Sequence, residues 1–375
     1  DQFVKGCSDP TLVTMLLIFL LAGGFASVAK AIGGVDATVN LALDMIPSSM
    51  VLPGLFLMTA FMATAMGTSM GTIAAVAPIA VGLTEATDLS LTLTVGTVVG
   101  GAMFGDNLSI ISDTTIAATR TQGCSMADKF RLNLKIALPA ALLTIVWLYL
   151  QGSDVQVNVS DDHNPAKVLP YLLVLVLAVS GLNVLLVLLT GIVVAGVTGL
   201  LLIDSYQVAQ WAKDIYSGYT SMQEIMILSL FIGGLAGMMK HAGGLDWLAA
   251  RIDALSHKAS GSAAGMRRSG ETSISLAVAL SNLCTANNTV AILISGGLAK
   301  DIAGRYQVDP RRSASLMDIT SCVVQGIIPW GAQMLLAASI AQLSPLELMD
   351  SVIYCWALGA ALIVSLAVGK PLPKH

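Results

Sequence analysis

Apolar runs of about 20 residues with few charges, the length that crosses a bilayer, recur along the whole chain and leave no stretch for a soluble domain of any size. Of its 375 residues, 55% are hydrophobic and 11% charged, whereas an ordinary soluble domain carries roughly a quarter charged residues. So little charge cannot cover a water-facing surface. The expected fold is an all-α polytopic membrane protein with the lipid bilayer as its solvent.

A formal net charge of -4 and the lack of any Lys/Arg cluster with interleaved aromatics argue against nucleic acid as a partner. The five cysteines, Cys7, Cys124, Cys284, Cys322 and Cys355, fall in no CxxC or Cys/His metal spacing and read as free thiols. His163, His241, His257 and His375 include no pair spaced to hold a metal on one helix face. Neither a metal-enzyme site nor a cofactor is expected, and no residue is assigned a catalytic role. The first apolar run is too long and too poor in basic flank for a plain signal peptide, and a start at Asp1 leaves room for a further N-terminal helix.

The chain also repeats itself. GGFASVAKAIGGVD (23–36) matches GGLAGMMKHAGGLD (233–246) without a gap, Lys30 facing Lys240, with seven of fourteen positions identical. Downstream, GTSMGTIA (67–74) faces CTANNTVA (284–291) and GAMFG (101–105) faces CVVQG (322–326). In this register Asp106 faces Ile327. Long-period duplication of this kind recurs among secondary transporters.

Basic residues collect in cytoplasmic loops and so orient the halves. Residues 31–50 hold Asp36 and Asp44 but no Lys or Arg, while their counterpart carries Lys240, Arg251, Lys258, Arg267 and Arg268. Residues 83–93 hold Glu85 and Asp88, against Lys300, Arg305, Arg311 and Arg312 in 300–312. Equivalent loops lie on opposite sides. The expected organisation is a first inverted repeat over 11–151, a connecting helical hairpin over 168–203 and a second inverted repeat over 222–368, with re-entrant hairpins and broken transmembrane helices.

Threaded by this rule, a helix over 11–31 runs outward, a re-entrant hairpin spans 51–83 and a broken segment spans 92–118. Arg120, Lys129, Arg131 and Lys135 then form a cytoplasmic basic stretch ahead of a helix over 136–150. The second half places a helix over 223–241, a hairpin over 274–299, a crossing over 314–341 and a last helix over 346–368. Both ends of the chain are expected in the cytoplasm. The stretch 257–272, rich in Ser, Gly, Ala and Arg, reads as a flexible connector.

A broken helix in hydrocarbon is tolerated only where protein packs it or a wet cavity meets it, so breaks point to a site. The clearest is GDNLSIISDTT (105–115). A carboxylate at membrane depth is expensive unless paired, solvated or ion-bound, which singles out Asp106 and Asp113 as Na⁺ ligands. Asn107, Ser109, Ser112, Thr114 and Thr115 add the oxygens that a hard cation accepts. The bland account of Asp113 is a helix cap, a role that coexists with lining a cavity.

The hairpin tips supply Thr68, Ser69 and Thr72 from one half and Asn287, Asn288 and Thr289 from the other, brought toward the midplane by the inverted repeat. Asp318 and Gln325 lie near the second break, with Thr320 and Ser321 beside them. Glycines at 67 and 71, 96 and 100, and 101 and 105 have the spacing of close helix packing. Lys30 and Lys240 read as snorkelling lysines at helix ends. A carboxylate at membrane depth can hold a proton or a Na⁺ in turn, and alternating exposure of such a group exchanges the two ions.

At GTSMGTIAAVAPIA, GDNLSIISDTT and LCTANNTVAI the chain resembles the NhaC-type sodium/proton antiporter family of the ion transporter superfamily. The resemblance runs over 16–364, and its most specific part is the GD-x-x-S-x-x-SDTT pattern, on which Asp106, Ser109, Ser112, Asp113, Thr114 and Thr115 fall. It implies Na⁺/H⁺ exchange in a bacterial inner membrane, and by wider analogy with the superfamily a homodimer with an elevator-like moving domain. The family pattern usually has a Lys and a Pro where this chain has Asn107 and Ile110, so a cation is expected to be missing beside Asp106.

Three other readings compete. An antiporter or symporter of a small organic solute, an amino acid or carboxylate, driven by Na⁺ or H⁺, would use the same scaffold; backbone amides could then hold an anionic group. An intramembrane aspartyl protease would need GxGD, and Met103 stands at the first glycine. A passive channel would need no counter-moving proton, and interrupted inverted repeats favour alternating access.

Overall fold

The computed structural model describes residues 1–45, 47–152, 164–244, 247 and 263–368. Asp154, Asp161, Asp162, Arg251, His257 and Lys258 lie outside the described residues. The described chain is built from helices. An opening pair, α1 (Gln2–Cys7) and α2 (Pro10–Ala31), leads to α3 (Gly34–Met45), and α4 (Val51–Met66) and α5 (Ser69–Glu85) form a hairpin. A broken helix comes next as α6 (Leu91–Leu108) and α7 (Asp113–Gln122), then α8 (Met126–Gln151) and the connecting pair α9 (Leu169–Val179) and α10 (Val184–Leu202).

The second half reads α11 (Val208–Ser221) and α12 (Gln223–His241), a hairpin of α13 (Ala263–Thr285) and α14 (Asn288–Arg305), a second broken helix of α15 (Pro310–Ile327) and α16 (Ala332–Ala341), then α17 (Pro345–Met349) and α18 (Ile353–Val368). Among the described residues, α2, α8, α10 and the run Pro310–Ala341 are long and apolar enough to cross a membrane, and the α11 and α12 pair, bent by 41°, makes a fifth span if counted as one. The chain is a multi-pass membrane protein. The arms α4 and α5, at 16 and 17 residues, reach about 25 Å at the helical rise, short of a bilayer core of about 30 Å, as a re-entrant hairpin requires.

The two halves share one register. Each hairpin turns on a residue in the left-handed region, Gly67 (φ 67°) and Ala286 (φ 53°), followed by the N-caps Thr68 and Asn287. The breaks cover 109–112 and 328–331, the left-handed C-caps Gly123 and Gln342 close α7 and α16, and Ser125 and Ser344 cap α8 and α17. Every pair is 219 residues apart. Asp106 therefore faces Gln325, not Ile327, and Thr114 faces Gln333. Matching shared letters slips the pairing by two residues, because the tip needs a left-handed residue and the halves use different ones.

Around this core the opening helices exchange partners, α2 packing on α11 and α1 on α12. A Cβ on Gly23 or Gly218 would run into the other's backbone carbonyl, and Gly6 meets Gly233 in the same way. Such reciprocal contacts are what two related halves produce. Gly101 and Gly105 let α6 press against α4, where a Cβ on Gly101 would lie 2.7 Å from the Phe56 carbonyl oxygen. Lys30 ends α2 in an exposed ion pair with Glu85 at 2.7 Å, so it leans on a carboxylate as well as on headgroups.

Two expectations change. The connector expected over 257–272 is helix from Ala263 onward, because Arg267 (3.4 Å) and Arg312 (3.1 Å) converge on the buried Glu271 and fasten α13 to the start of α15. The helix expected from residue 136 begins at Met126, where the Ser125 side chain accepts from the Asp128 N–H. At the head of α15, Asp309 caps the helix and takes Arg311 at 2.7 Å, and the guanidinium holds its carboxyl below the usual carboxylate range. A depressed carboxylate stabilises the fold above its unfolded value of about 4 and loses that contribution as pH falls below it, a small term at this exposure.

Because Gly218 meets the Gly23 backbone directly, Gly218→Val should lower the stability of the purified protein by about 1–3 kcal/mol through overpacking. Thermal melting in detergent checks this, with Gly123→Val, which has open space around it but strained backbone, as the comparison.

Candidate functional site

Both hairpin tips and both breaks meet at one cavity of about 320 Å³. Thr68 and Ser69 come from the first tip, and Asn287, Asn288 and Thr289 from the second. Asp106, Asp113 and Thr114 come from the first broken helix, Gln325 and Gln333 from the second, and the start of α2 forms a wall. The N-terminal ends of α5, α7, α14 and α16 face this space, each bringing the positive end of a helix dipole.

Its polar floor follows the internal two-fold. In the first half the Ser69 hydroxyl donates to Asp106 Oδ2 at 2.8 Å, and Thr114 Oγ1 lies 3.5 Å from Oδ1. In the second half the equivalent positions are Asn288, Gln325 and Gln333, and Gln325 Nε2 donates to Gln333 Oε1 at 2.7 Å. Two contacts join the sets: Gln333 Nε2 donates to Ser69 Oγ at 3.0 Å, and Asn288 Nδ2 reaches Asp106 Oδ2 at 3.5 Å. Gln325 Nε2 also donates to the Ala286 carbonyl at the second tip, 2.8 Å away. Asp106 and Gln325 are buried, and Gln325 Oε1 has no hydrogen-bond partner, so an acceptor oxygen stands ready at the position equivalent to the acid.

Most other polar residues of GDNLSIISDTT repair the break itself. Ser112 caps α7, accepting from the Thr115 N–H at 3.2 Å and donating to the Asp106 carbonyl at 3.2 Å. Thr115 donates to the Ser109 carbonyl at 2.7 Å, and Ser109 donates to the Thr64 carbonyl at 2.9 Å. Thr72 donates back to the Thr68 carbonyl at 2.9 Å. Asp113 begins α7 with an exposed side chain on the cavity, while Ser112, one residue earlier, does the capping.

Asp318 does not line the cavity. It is fully buried, with Oδ2 held by Lys129 Nζ at 2.6 Å, Asn133 Nδ2 at 2.7 Å and Asn107 Nδ2 at 3.2 Å. Lys129, expected in a cytoplasmic basic stretch, is itself fully buried. Arg131 and Lys135, on the other side of α8, are exposed. Lys129 also donates to the Asn107 carbonyl at 2.9 Å, so the cation expected to be missing beside Asp106 is supplied from α8.

Of the residues singled out from the sequence, the structure gathers Thr68, Ser69, Asp106, Asp113, Thr114, Asn287, Asn288, Thr289 and Gln325 on the cavity. It places Thr72, Asn107, Ser109, Ser112, Thr115 and Asp318 behind it. Gln333, Lys129 and Asn133 were not singled out. The signal for the last two was there: a lysine and an asparagine four residues apart share one helix face.

The profile of the Na⁺/H⁺ antiporter family matches residues 11–153 and 163–370. The chain belongs to that family. Among curated relatives, it is 25% identical to the Na⁺/H⁺ antiporter NhaC of Bacillus subtilis strain 168, covering 98% of this chain and 84% of the relative. It is 23% identical to the malate-2H⁺/Na⁺-lactate antiporter of the same organism (97% and 82% covered), and 22% identical to the arginine/ornithine antiporter ArcD of Halobacterium salinarum (88% and 74% covered). Among solved structures, the Alcanivorax borkumensis YdaH transporter is similar, with TM-score 0.48 and 14% identity over 98% of this chain and 87% of that one.

Removing one partner of a fully buried ion pair leaves the other uncompensated. Lys129→Met in this antiporter-family chain should therefore cost about 3–5 kcal/mol of stability, read as a fall in melting temperature and in monodisperse yield.

Proposed function

We propose that this chain is a secondary transporter that exchanges Na⁺ for H⁺ by alternating access, with Asp106 as the group on which the two cargoes replace each other. The observation that supports it most is the buried Asp106 carboxylate on the cavity, with the buried Gln325 Oε1 of the equivalent position left without a donor. Asp106, Gln325, Ser69 and Thr114 are oxygen donors of the hard type Na⁺ accepts, and Asp113 at the rim adds a second carboxylate. A proton on Asp106 removes the charge that draws Na⁺; a bound Na⁺ keeps the proton off. Exposure to either side in turn then yields exchange.

On this reading the halves are the inverted repeats 11–151 and 222–368, joined by the hairpin 168–203, and the tips and breaks form the ion-carrying unit. The distribution of basic loops supports a cytoplasmic position for both ends of the chain, and the resemblance to the family suggests a bacterial inner membrane and a homodimer. The transported ions and the bilayer are the only partners the reading needs, and no cofactor enters it.

A second reading has one observation in its favour. A cavity of about 320 Å³ has room for about ten waters, more than a cation needs. Four helix N-termini around two carboxylates also suit a zwitterion or an organic acid. A small amino acid or carboxylate would then travel with or against Na⁺ or H⁺.

In proteoliposomes with an internal pH dye, adding Na⁺ should move protons in the parent chain. Asp106→Asn should abolish the movement, and Asp113→Asn should raise the Na⁺ concentration for half-maximal rate by about tenfold, the scale of one weakened charged contact. Proton movement evoked by amino acids or carboxylates and not by Na⁺ would establish the second reading. Intact Na⁺ response in Asp106→Asn would remove Asp106 from its role.

Gln325→Glu would place a second acid opposite the first. The variant should move more protons per Na⁺ than the parent, measured as the ratio of ²²Na⁺ to H⁺ flux.

A further inference from the structure

The polar cluster around Lys129 has a counterpart with none of its chemistry. At the positions 219 residues away in the other half, Val99 matches Asp318, Leu348 matches Lys129, Val352 matches Asn133, Gly326 matches Asn107 and Met334 matches Thr115. All five are buried. The fold thus closes its second break with apolar packing, so a break of this kind does not need an ion pair. Burying two charges brings a desolvation penalty that their attraction barely offsets. The pair in the first half calls for another reason.

Its hydrogen bonds supply one. Lys129 Nζ meets Asp318 Oδ2 at 2.6 Å, the Asn107 carbonyl at 2.9 Å and Thr115 Oγ1 at 2.6 Å. A carboxylate and a carbonyl can only accept, and Thr115 gives its own proton to the Ser109 carbonyl. With Asp318 as a carboxylate, all three contacts take an N–H from the amine, and an ammonium then has every proton engaged. One turn along α8, Asn133 Nδ2 donates to the same Asn107 carbonyl at 3.1 Å and to Asp318 at 2.7 Å. Neither Lys129 nor Asp318 lines the cavity. The carbonyl that Lys129 and Asn133 hold belongs to the residue after Asp106.

We propose that Lys129 is a positioning residue: a fixed ammonium that, with Asn133, pins the end of α6 and so aims Asp106 into the cavity, while the Lys129–Asp318 pair carries none of the exchanged charge. The inference rests on the exchange reading of the cavity.

The test uses two measurements. In proteoliposomes, the double variant Lys129→Gln with Asp318→Asn removes both charges together. It should keep the parent's ratio of protons to Na⁺ and its melting temperature, and need about tenfold more Na⁺ for half-maximal exchange. A changed ratio, or an unchanged Na⁺ requirement, overturns the proposal. A parent inert to Na⁺ would instead overturn the exchange reading on which it rests.

The second measurement uses the unaltered chain in detergent and decides even where the variant fails to fold. The titratable groups facing Lys129 are Asp318 and Cys322 from α15 and Asp106 from α6. Proton release on Na⁺ binding should die away by about pH 9, where only carboxylates have been exchanging. Release that persists above it, and persists equally in a Cys322→Ala control that removes the neighbouring thiol, identifies a deprotonating amine and refutes the fixed charge.

Discussion

A peptide group inside a bilayer must find a hydrogen-bond partner other than water, and this constraint shapes the whole site. Two helices stop in the middle of the molecule, each leaving carbonyls and amides without helical partners. In the first break Ser112 and Thr115 take up carbonyls, Ser109 Oγ accepts the Ile111 N–H, and Lys129 and Asn133 share the Asn107 carbonyl. A run of residues that reads as a ligand shell is largely the repair of its own backbone. What remains after the repair, the Asp106 side chain and the oxygens around it, is free to serve a cargo.

Duplication explains why the remainder is arranged as it is. The same hairpin and the same break, laid down twice, bring two equivalent positions to one centre. Two carboxylates there would repel at close range and ionise together only at a cost. With Asp106 in one half and Gln325 in the other, the paired position keeps one carboxylate and a neutral oxygen of similar reach, which suits the proposed exchange on a single acid. The divergence that looks like decay of the repeat is what leaves a single carboxylate at this paired position, with Asp113 further out on the cavity.

The sequence made much of this legible, for identifiable reasons. Apolar runs and their glycine punctuation mark most helices, hairpins and breaks to within a few residues, because hydrocarbon tolerates polar backbone only at such places. They miss the polar first turns of α8 and α13, which start at Met126 and Ala263. The register of the repeat was not legible from letters. Gly67 and Ala286 occupy the same left-handed corner, and Thr68 and Asn287 the same cap, yet no substitution pattern pairs them. Lys129 was hidden for a different reason: charge statistics sort lysines by the company they keep, and Arg131 and Lys135 are in fact exposed. Only the helical phase, which turns 129 and 133 inward together, separates it from its neighbours. Gln333 escaped because its counterpart Thr114 differs from it in size and in kind.

The hydrogen bonds also link occupancy to access. At the second tip the Ala286 carbonyl accepts from Gln325; Gln325 also donates to Gln333, Gln333 donates to Ser69 at the first tip, and Ser69 donates to Asp106. From Gln325 onward each bond points the same way, so the chain of donors ends on the carboxylate and depends on its being an acceptor. Displacing either tip breaks a bond in this line, and changing what Asp106 holds changes what Ser69 can do. A ligand shifts a conformational equilibrium only through its different affinity for the two states. On the proposed exchange that difference has a location, because the line of bonds ending on Asp106 is also the line that joins the two tips.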